Sequence, residues 1–144
     1  MAHIFPSDGW VDSLADILNH DERYAHVARG WEGDLLFEIR PDEGTKDGED
    51  GVTRVYLDLW HGQCRKAAFY PASAKDFPRP TFIMGALRAD FVRILTGALD
   101  PMQAMLTRRL QVIGNMGYVL RNVPVVLDFV RCCRKVEIDL RTDA

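Results

Sequence analysis

The residues best suited to covalent chemistry are His61 and Cys64, which flank a predicted tight turn. A histidine beside a thiol can lower the pKa of that thiol and make it a nucleophile. We favour the ordinary interpretation, a turn histidine followed by a small buried strand residue, because cysteine is among the residue types most often buried. With Cys132 and Cys133 the pair offers four zinc ligands, but vicinal cysteines match the spacing of structural zinc sites poorly.

Known catalytic and cofactor-binding motifs are missing from the sequence. It contains no glycine-rich phosphate loop, nucleophile elbow, HExxH or paired CxxC. The acidic segment 41–51 can offer oxygen ligands to a cation, but its order does not match that of an EF-hand loop. We therefore predict a protein that is not an enzyme and that has no catalytic residues, no metal site and no cofactor.

Methionines suggest a different chemistry, because flexible and polarizable thioether chains adapt to irregular apolar shapes. Four of them fall among large apolar residues in 82–127, which includes 95–127, the stretch around which the chain is organised. They can line a cavity that accepts an apolar ligand. The alternative is a methionine-rich core filled by its own side chains. The predicted ligand-binding residues are Phe82, Met84, Leu87, Phe91, Leu95, Met102, Met105, Leu106, Met116, Val119, Leu120, Val123 and Leu127.

The periodicity of apolar residues predicts the elements that position this stretch. Helical spacing after Ser7 and again after His20 predicts two N-terminal helices. Alternation then predicts three strands near 34–39, 55–60 and 64–70, joined as an antiparallel meander, with the polar segment 41–51 as a solvated loop. Further strands are expected at 81–84 and 110–113. The outward face of the second strand should carry Tyr56 and Trp60.

Helix signals surround the last strand. Gly97 should end one helix, and Asp100 followed by proline should start the next. Asn115 should cap one long final helix, which Pro124 should kink near Leu120 because proline lacks an N–H donor. The order predicts an α+β fold in one domain spanning 1–144: a mainly antiparallel five-stranded sheet with helices packed on one face.

Charge is distributed unevenly along the 144 residues. The net charge is −3, with fourteen acidic and five basic residues up to His61 and seven acidic and thirteen basic residues afterwards. The halves therefore carry about −9 and +6. This balance argues against nucleic-acid binding, which depends on clustered basic residues. Either the two halves pair with each other, or the basic half makes peripheral contact with an anionic membrane.

The cysteines and the N-terminal residues bear on location. Three cysteines cannot all pair within one chain, and neighbours such as Cys132 and Cys133 seldom bridge. No secretory signal and no apolar run long enough to span a bilayer is visible. We therefore expect reduced thiols and a cytoplasmic protein.

The sequence resembles the sterol carrier protein family, in its type-two sterol-transfer (SCP2-like) domain. The resemblance rests on Gly97-Ala98-Leu99-Asp100-Pro101, Ala104, Leu110-Gln111-Val112 and Gly114. It departs from the family at Arg108, where glycine is frequent, and at Pro124 in the final helix.

The resemblance implies an apolar tunnel between sheet and helices. It further implies non-enzymatic binding or transfer of a sterol, fatty acyl, phospholipid or isoprenoid lipid. The alternative is an accessory or assembly module for the biosynthesis of lipid-soluble metabolites such as quinones, acting through protein partners or as a homodimer.

Overall fold

A central sheet and six helices make up most of the protein. The structure, a computed structural model, describes residues 2–42 and 51–139, so most of the predicted acidic loop lies outside the described residues. In chain order the elements are β1 (His3–Ile4), α1 (Asp8–His20), α2 (Glu22–Val27), β2 (Leu35–Arg40), β3 (Thr53–Trp60), β4 (Gln63–Tyr70), β5 (Phe82–Leu87), α3 (Arg88–Leu95), α4 (Pro101–Leu106), β6 (Gln111–Ile113), α5 (Met116–Arg121), α6 (Val123–Cys133) and β7 (Ile138–Asp139).

The five-stranded sheet has the order β4-β3-β2-β5-β6. Its pairings are antiparallel except for β2 with β5, which run parallel, so the predicted meander is confirmed within a mixed sheet. The alternating residues of β2 and β3 predicted to face inward are indeed in the core, where Phe37 and Leu57 are 5% and 0% exposed. The expected α+β fold is therefore confirmed.

Side-chain caps fix the starts of several helices where the sequence predicts them. Ser7 accepts a hydrogen bond from the Trp10 amide and begins α1. Asp100 accepts from the Gln103 amide, with proline at the first position of α4, and Asn115 accepts from the Tyr118 amide at the start of α5. These caps satisfy amides that have no partner within their own helix.

The prediction of one long, kinked final helix is wrong. The chain leaves helical geometry at Asn122, with φ −118° and ψ 30°, and α5 and α6 are separate helices. Pro124 lies in the first turn of α6, where a missing N–H costs nothing because that amide has no intrahelical acceptor. Pro124 therefore begins a helix instead of bending one, and the break changes which residues face the core.

The outer face of the sheet is more covered than the sequence indicates. Tyr56 is only 8% exposed, and its hydroxyl donates to Asp34 at 2.7 Å. Burial alone would raise the pKa of Asp34, but the bonds from Tyr56 and from Thr81 hold it below its usual value. Phe77, in the segment after β4, stacks beneath the Arg54 guanidinium at 4.0 Å. Trp60 remains 37% exposed and stacks on His61.

A small parallel sheet of β1 and β7 brings the two ends of the described chain together, a pairing the sequence did not predict. Each strand has two residues, too few for alternation to be visible. No helix in 2–42 or 51–139 is long and apolar enough to cross a membrane.

Candidate ligand-binding cavity

An apolar cavity lies between the inner face of the sheet and helices α3, α4 and α6. The space between the lining atoms totals about 730 Å³, a volume that includes solvent at the open mouth of the cavity. Only about 60 Å³ is wide enough for the centre of a water molecule, so the walls approach each other closely. That volume is well below the range of small-molecule sites, about 300–1,000 Å³, so the cavity is narrow as it stands.

The sheet forms one wall of the cavity. Leu35 and Phe37 of β2 lie beside Leu59 of β3 and Met84 of β5. Phe37 and Met84 are directly paired in the parallel register between β2 and β5. Because side chains alternate along a strand, this wall is built from the inward row that the alternation predicts.

Helices form the opposite wall. Phe91, Ile94 and Leu95 come from α3 and Met105 from α4. From α6 come residues at the spacing of one helical face: Val125, Val126, Phe129, Val130 and Cys133. Aromatic contacts join the two walls, since Phe37 lies 5.5 Å from Phe91 and 6.1 Å from Phe129 between ring centres.

Few lining side chains carry a polar atom. The Trp31 indole N–H is satisfied, since it donates to the Gly33 carbonyl at 2.8 Å. The Tyr24 hydroxyl is buried without a hydrogen-bond partner among the described residues. Burial raises the pKa of Tyr24, and burial likewise raises that of Cys133, so both groups are neutral. Among the described residues, no side chain that lines the cavity is charged.

Four of the thirteen predicted ligand-binding residues line the cavity: Met84, Phe91, Leu95 and Met105. Two others, Phe82 and Val119, are fully buried elsewhere in the core. The remaining seven do not line it: Leu87, Met102 and Val123 are half-buried, and Leu106, Met116, Leu120 and Leu127 are exposed. Of the four methionines, Met84 and Met105 line this cavity, and Met102 and Met116 lie outside it.

The break at Asn122 explains the misplaced residues in the last two helices. A continuous helix would align Met116, Leu120 and Leu127 on one apolar stripe. In the structure α5 instead turns Tyr118 and Val119 inward; the Tyr118 ring lies 5.0 Å from Trp31 and stacks on Phe82 at 5.9 Å.

Lining residues from the N-terminal half were outside the predicted set. Leu35, Phe37 and Leu59 belong to the inward rows that alternation reveals, and Tyr24 and Trp31 belong to the helical spacing after His20. Their burial was therefore readable from periodicity. Their convergence on the cavity was not, because it depends on how the sheet packs on distant helices.

A buried ionic cluster holds α6 against α2. Asp21, the N-cap of α2, accepts from Arg131 and from Lys135 at 2.7 Å each. Arg131 also makes a two-bond contact with Asp128 at 2.7 and 3.1 Å, and Arg23 lies 3.3 Å from the same carboxylate. The bonds from Arg131 and Lys135 hold the pKa of Asp21 well below its usual value.

The same cluster explains an error in the predicted surface. A charged residue of the last helix is expected on its polar side, but Asp128 is only 5% exposed. Asp21, Asp128 and the Cys132 thiol approach one another closely enough for a metal site. Three cationic side chains already neutralise the two carboxylates, and burial raises the pKa of Cys132 to about 11. The cluster is therefore built as a salt-bridge network.

His61 and Cys64 do not form a catalytic pair. The His61 ring is hydrogen-bonded to Glu32 at 2.6 Å, whereas the Cys64 thiol donates to the Lys66 carbonyl at 3.4 Å. Burial raises the pKa of Cys64 to about 11, so its thiol is protonated at neutral pH. The ordinary interpretation of this turn agrees with the geometry, and all three cysteines are free and buried.

Comparisons with known proteins agree with this architecture. The family model of the SCP-2 sterol transfer family matches residues 14–126. A crystal structure of sterol carrier protein 2 is 29% identical, with a TM-score of 0.79, over 90% of this chain and 97% of that one. No curated protein matches the sequence significantly.

Two solution structures are also similar. A conserved hypothetical protein, possibly sterol carrier protein, from Thermus thermophilus is 26% identical, with a TM-score of 0.80, over 99% of this chain and 97% of that one. The sterol carrier protein domain 2 of Helicoverpa armigera is 18% identical, with a TM-score of 0.59, over 94% and 90%. The family match spans the sheet, α3, α4 and the start of α6, and with them most of the cavity. The chain therefore belongs to the SCP-2 sterol transfer family.

Proposed function

We propose that this protein, as a single domain over 1–144, binds or transfers a long apolar ligand in the cavity between the sheet and α3, α4 and α6, without catalysis. The ligand class is a sterol, a fatty acyl chain, a phospholipid tail or an isoprenoid lipid. The observation that carries the proposal is a cavity whose lining is apolar apart from satisfied or neutral groups. Membership of a sterol transfer family supports the same class.

The energetics favour a long ligand over a small one. Burying about ten methylenes at about 0.8 kcal/mol each gives about 8 kcal/mol before costs. Association itself costs several kcal/mol, so a short apolar molecule would bind weakly. A long chain can lie between the sheet and the helical wall, where it contacts Phe91 of α3, Phe129 of α6 and Phe37 of the sheet.

The narrow interior means that a ligand must displace side chains as it enters. Met84 and Met105, which lie on opposite walls, are suited to this because unbranched thioether chains change rotamer at little cost. Helix α4 has only six residues, and its Met105 is half-buried. We expect α4 to move away from the sheet when the cavity fills.

The experiment is a titration with a fluorescent fatty acid, combined with native mass spectrometry of the purified protein. Met105→Trp should fill part of the cavity and weaken binding by about tenfold or more. Met102→Trp is the matched control, since Met102 lies on the same helix but does not line the cavity. Equal affinities for the two variants, or no binding by the parent protein, would contradict the proposal.

The accessory-module alternative has less support from the fold. It is motivated by the opposite charges of the two halves and by Tyr56 and Trp60 on the outer face of the sheet. Trp60 is 37% exposed, but Tyr56 is buried and hydrogen-bonded. The cytoplasmic location stays a prediction, consistent with three free and buried thiols. Size-exclusion chromatography and pulldown with the purified protein would test for a partner or homodimer.

A further inference from the structure

Three buried polar side-chain atoms have no hydrogen-bond partner within 2–42 and 51–139: the indole nitrogen of Trp10, one guanidinium nitrogen of Arg88 and the hydroxyl of Tyr24. Of these three residues, Tyr24 is the one that lines the cavity. Buried polar groups are nearly always bonded, because an unpaired one forfeits the hydrogen bonds that it makes to water in the unfolded chain. The Tyr24 hydroxyl is therefore an exception that the packing of the fold does not explain.

The Tyr24 side chain is held firmly in its position. Its amide donates to the Asp21 carboxylate at 2.8 Å at the start of α2, and its ring packs on that of Phe129 in α6, with ring centres 6.5 Å apart. Salt bridges from Asp21 and Arg23, on the same helix, tie α2 to α6. The side chain is fully buried, so the hydroxyl is presented to the cavity from a rigid support.

The hydroxyl lies between the sheet and α6. Burial raises the pKa of Tyr24, and the nearby thiols of Cys64, on β4, and Cys133, on α6, add to this effect. Neither thiol is a hydrogen-bond partner of the hydroxyl, and Cys133 itself lines the cavity. A tyrosine hydroxyl that keeps its proton can both donate and accept a hydrogen bond. Tyr24 is therefore able to bond a polar group that enters between the two walls.

The chemistry of the lining limits what that polar group can be. Among the described residues the lining carries no charged side chain, so a carboxylate or phosphate beside Tyr24 would be buried without a counter-charge, which is strongly unfavourable. The indole N–H of Trp31 already donates to the Gly33 carbonyl at 2.8 Å. An uncharged hydroxyl or carbonyl oxygen needs a single hydrogen bond to be buried at little cost, and Tyr24 can supply it.

We propose that Tyr24 determines ligand specificity: its hydroxyl bonds an uncharged hydroxyl or carbonyl oxygen of a long apolar lipid. The inference rests on the proposed function, since it assigns the polar end of the same ligand. Such a lipid binds with its oxygen inward and its hydrocarbon part against the apolar residues of the sheet, α3 and α4. A hydrocarbon leaves the Tyr24 hydroxyl unpaired, and a fatty acid keeps its carboxylate at the open mouth. A few polar groups in a mostly apolar site typically fix the orientation of the ligand in this way.

The test is a competition in which tetradecanol or tetradecane displaces a fluorescent fatty acid from the purified protein. The two competitors differ by one oxygen. In Tyr24→Phe the ratio of the affinity for the alcohol to that for the hydrocarbon should fall about tenfold, because the bound alcohol then has an unpaired hydroxyl. The matched control is Tyr70→Phe, which removes the same atom from a residue of β4 that packs on Phe77 outside the cavity. The ratio in this control should stay within about twofold of the parent value.

An infrared measurement tests the contact without comparing affinities. The carbonyl stretch of a bound long-chain ketone should lie at lower wavenumber in the parent protein than in hexane, because a hydrogen bond weakens the C=O bond. In Tyr24→Phe it should return towards the hexane value. The parent measurement stands even if the variant does not fold.

Three results would overturn the proposal: an unchanged affinity ratio in Tyr24→Phe, an equal fall in Tyr70→Phe, or a ketone stretch in the parent protein at its hexane value. If the fluorescent fatty acid still binds in these cases, the cavity proposal stands and only the role of Tyr24 is lost. If the fatty acid itself does not bind the parent protein, both proposals are lost.

Discussion

Asp21→Asn should weaken the attachment of α6 to α2. Asparagine is as good an N-cap as aspartate, so the bond from the Tyr24 amide, 2.8 Å in the parent protein, can persist. The substitution removes the charge that Arg131 and Lys135 contact at 2.7 Å. Asp21 has a side chain only 7% exposed, so these bonds are poorly replaced by water.

The expected loss in the free energy of unfolding is about 2 kcal/mol at neutral pH. A partly buried charge-assisted bond to Arg131 contributes about 1.5 kcal/mol or more, and the exposed Lys135 adds a few tenths. Arg131 keeps its two bonds to Asp128, which limits the loss. Asp16→Asn is the control: Asp16 pairs with His20, both are more than three-quarters exposed, and we expect a change below about 0.5 kcal/mol.

Urea unfolding at a series of pH values measures the effect. The pKa of Asp21 is lowered in the folded protein. The ionised carboxylate therefore contributes fully to the free energy of unfolding above the unfolded pKa of about 4, and this contribution is lost as the pH falls below that value. The difference between parent and Asp21→Asn should therefore be constant from pH 5 to 8 and shrink below about pH 4. A difference below 0.5 kcal/mol at pH 7, or one that does not change in acid, would refute this account of the cluster.

Three further predictions concern single residues. Tyr24→Phe should leave the free energy of unfolding unchanged or raise it by about 1 kcal/mol, because the buried hydroxyl that it removes has no partner within 2–42 and 51–139. A loss above about 1 kcal/mol in urea unfolding would reveal a partner. Arg108→Gly should raise the free energy of unfolding by up to about 1 kcal/mol by relieving the left-handed backbone, and a destabilised variant would contradict that reading. The three cysteines should react slowly with a thiol reagent at pH 7.5 until urea unfolds the chain, because all three are buried and have raised pKa values. A fast-reacting thiol in the native protein would contradict this prediction.

The parts of the fold that local signals control were predictable from sequence. The caps at Ser7, Asp100 and Asn115 each bond an amide three residues away, and the alternation in β2 and β3 follows from one buried face. Both depend on a few neighbouring residues, which periodicity and cap chemistry describe well.

The candidate site was harder because long-range packing decides it. Pro124 can bend a helix or begin one. In the structure the chain leaves helical geometry at Asn122, so Pro124 lies at the start of α6, and Leu120 and Leu127 are exposed. Asp128 has the sequence signature of a surface residue, yet Arg23 meets it from more than 100 residues away. Sequence reasoning found cavity residues on α3, α4 and β5 and missed those of β2 and β3, since no local pattern shows which strand residues meet α6.

The central claim is that an acyl chain enters the space lined by Trp31, and tryptophan quenching by a brominated fatty acid tests it most directly. Trp31 lines the cavity, whereas Trp10 and Trp60 do not. A variant with phenylalanine at Trp10 and Trp60 reports on Trp31 alone; its matched control has phenylalanine at Trp10 and Trp31. We predict saturable quenching of Trp31 and no such quenching of Trp60. Quenching equal in the two variants, or absent from Trp31, would contradict a ligand-binding cavity.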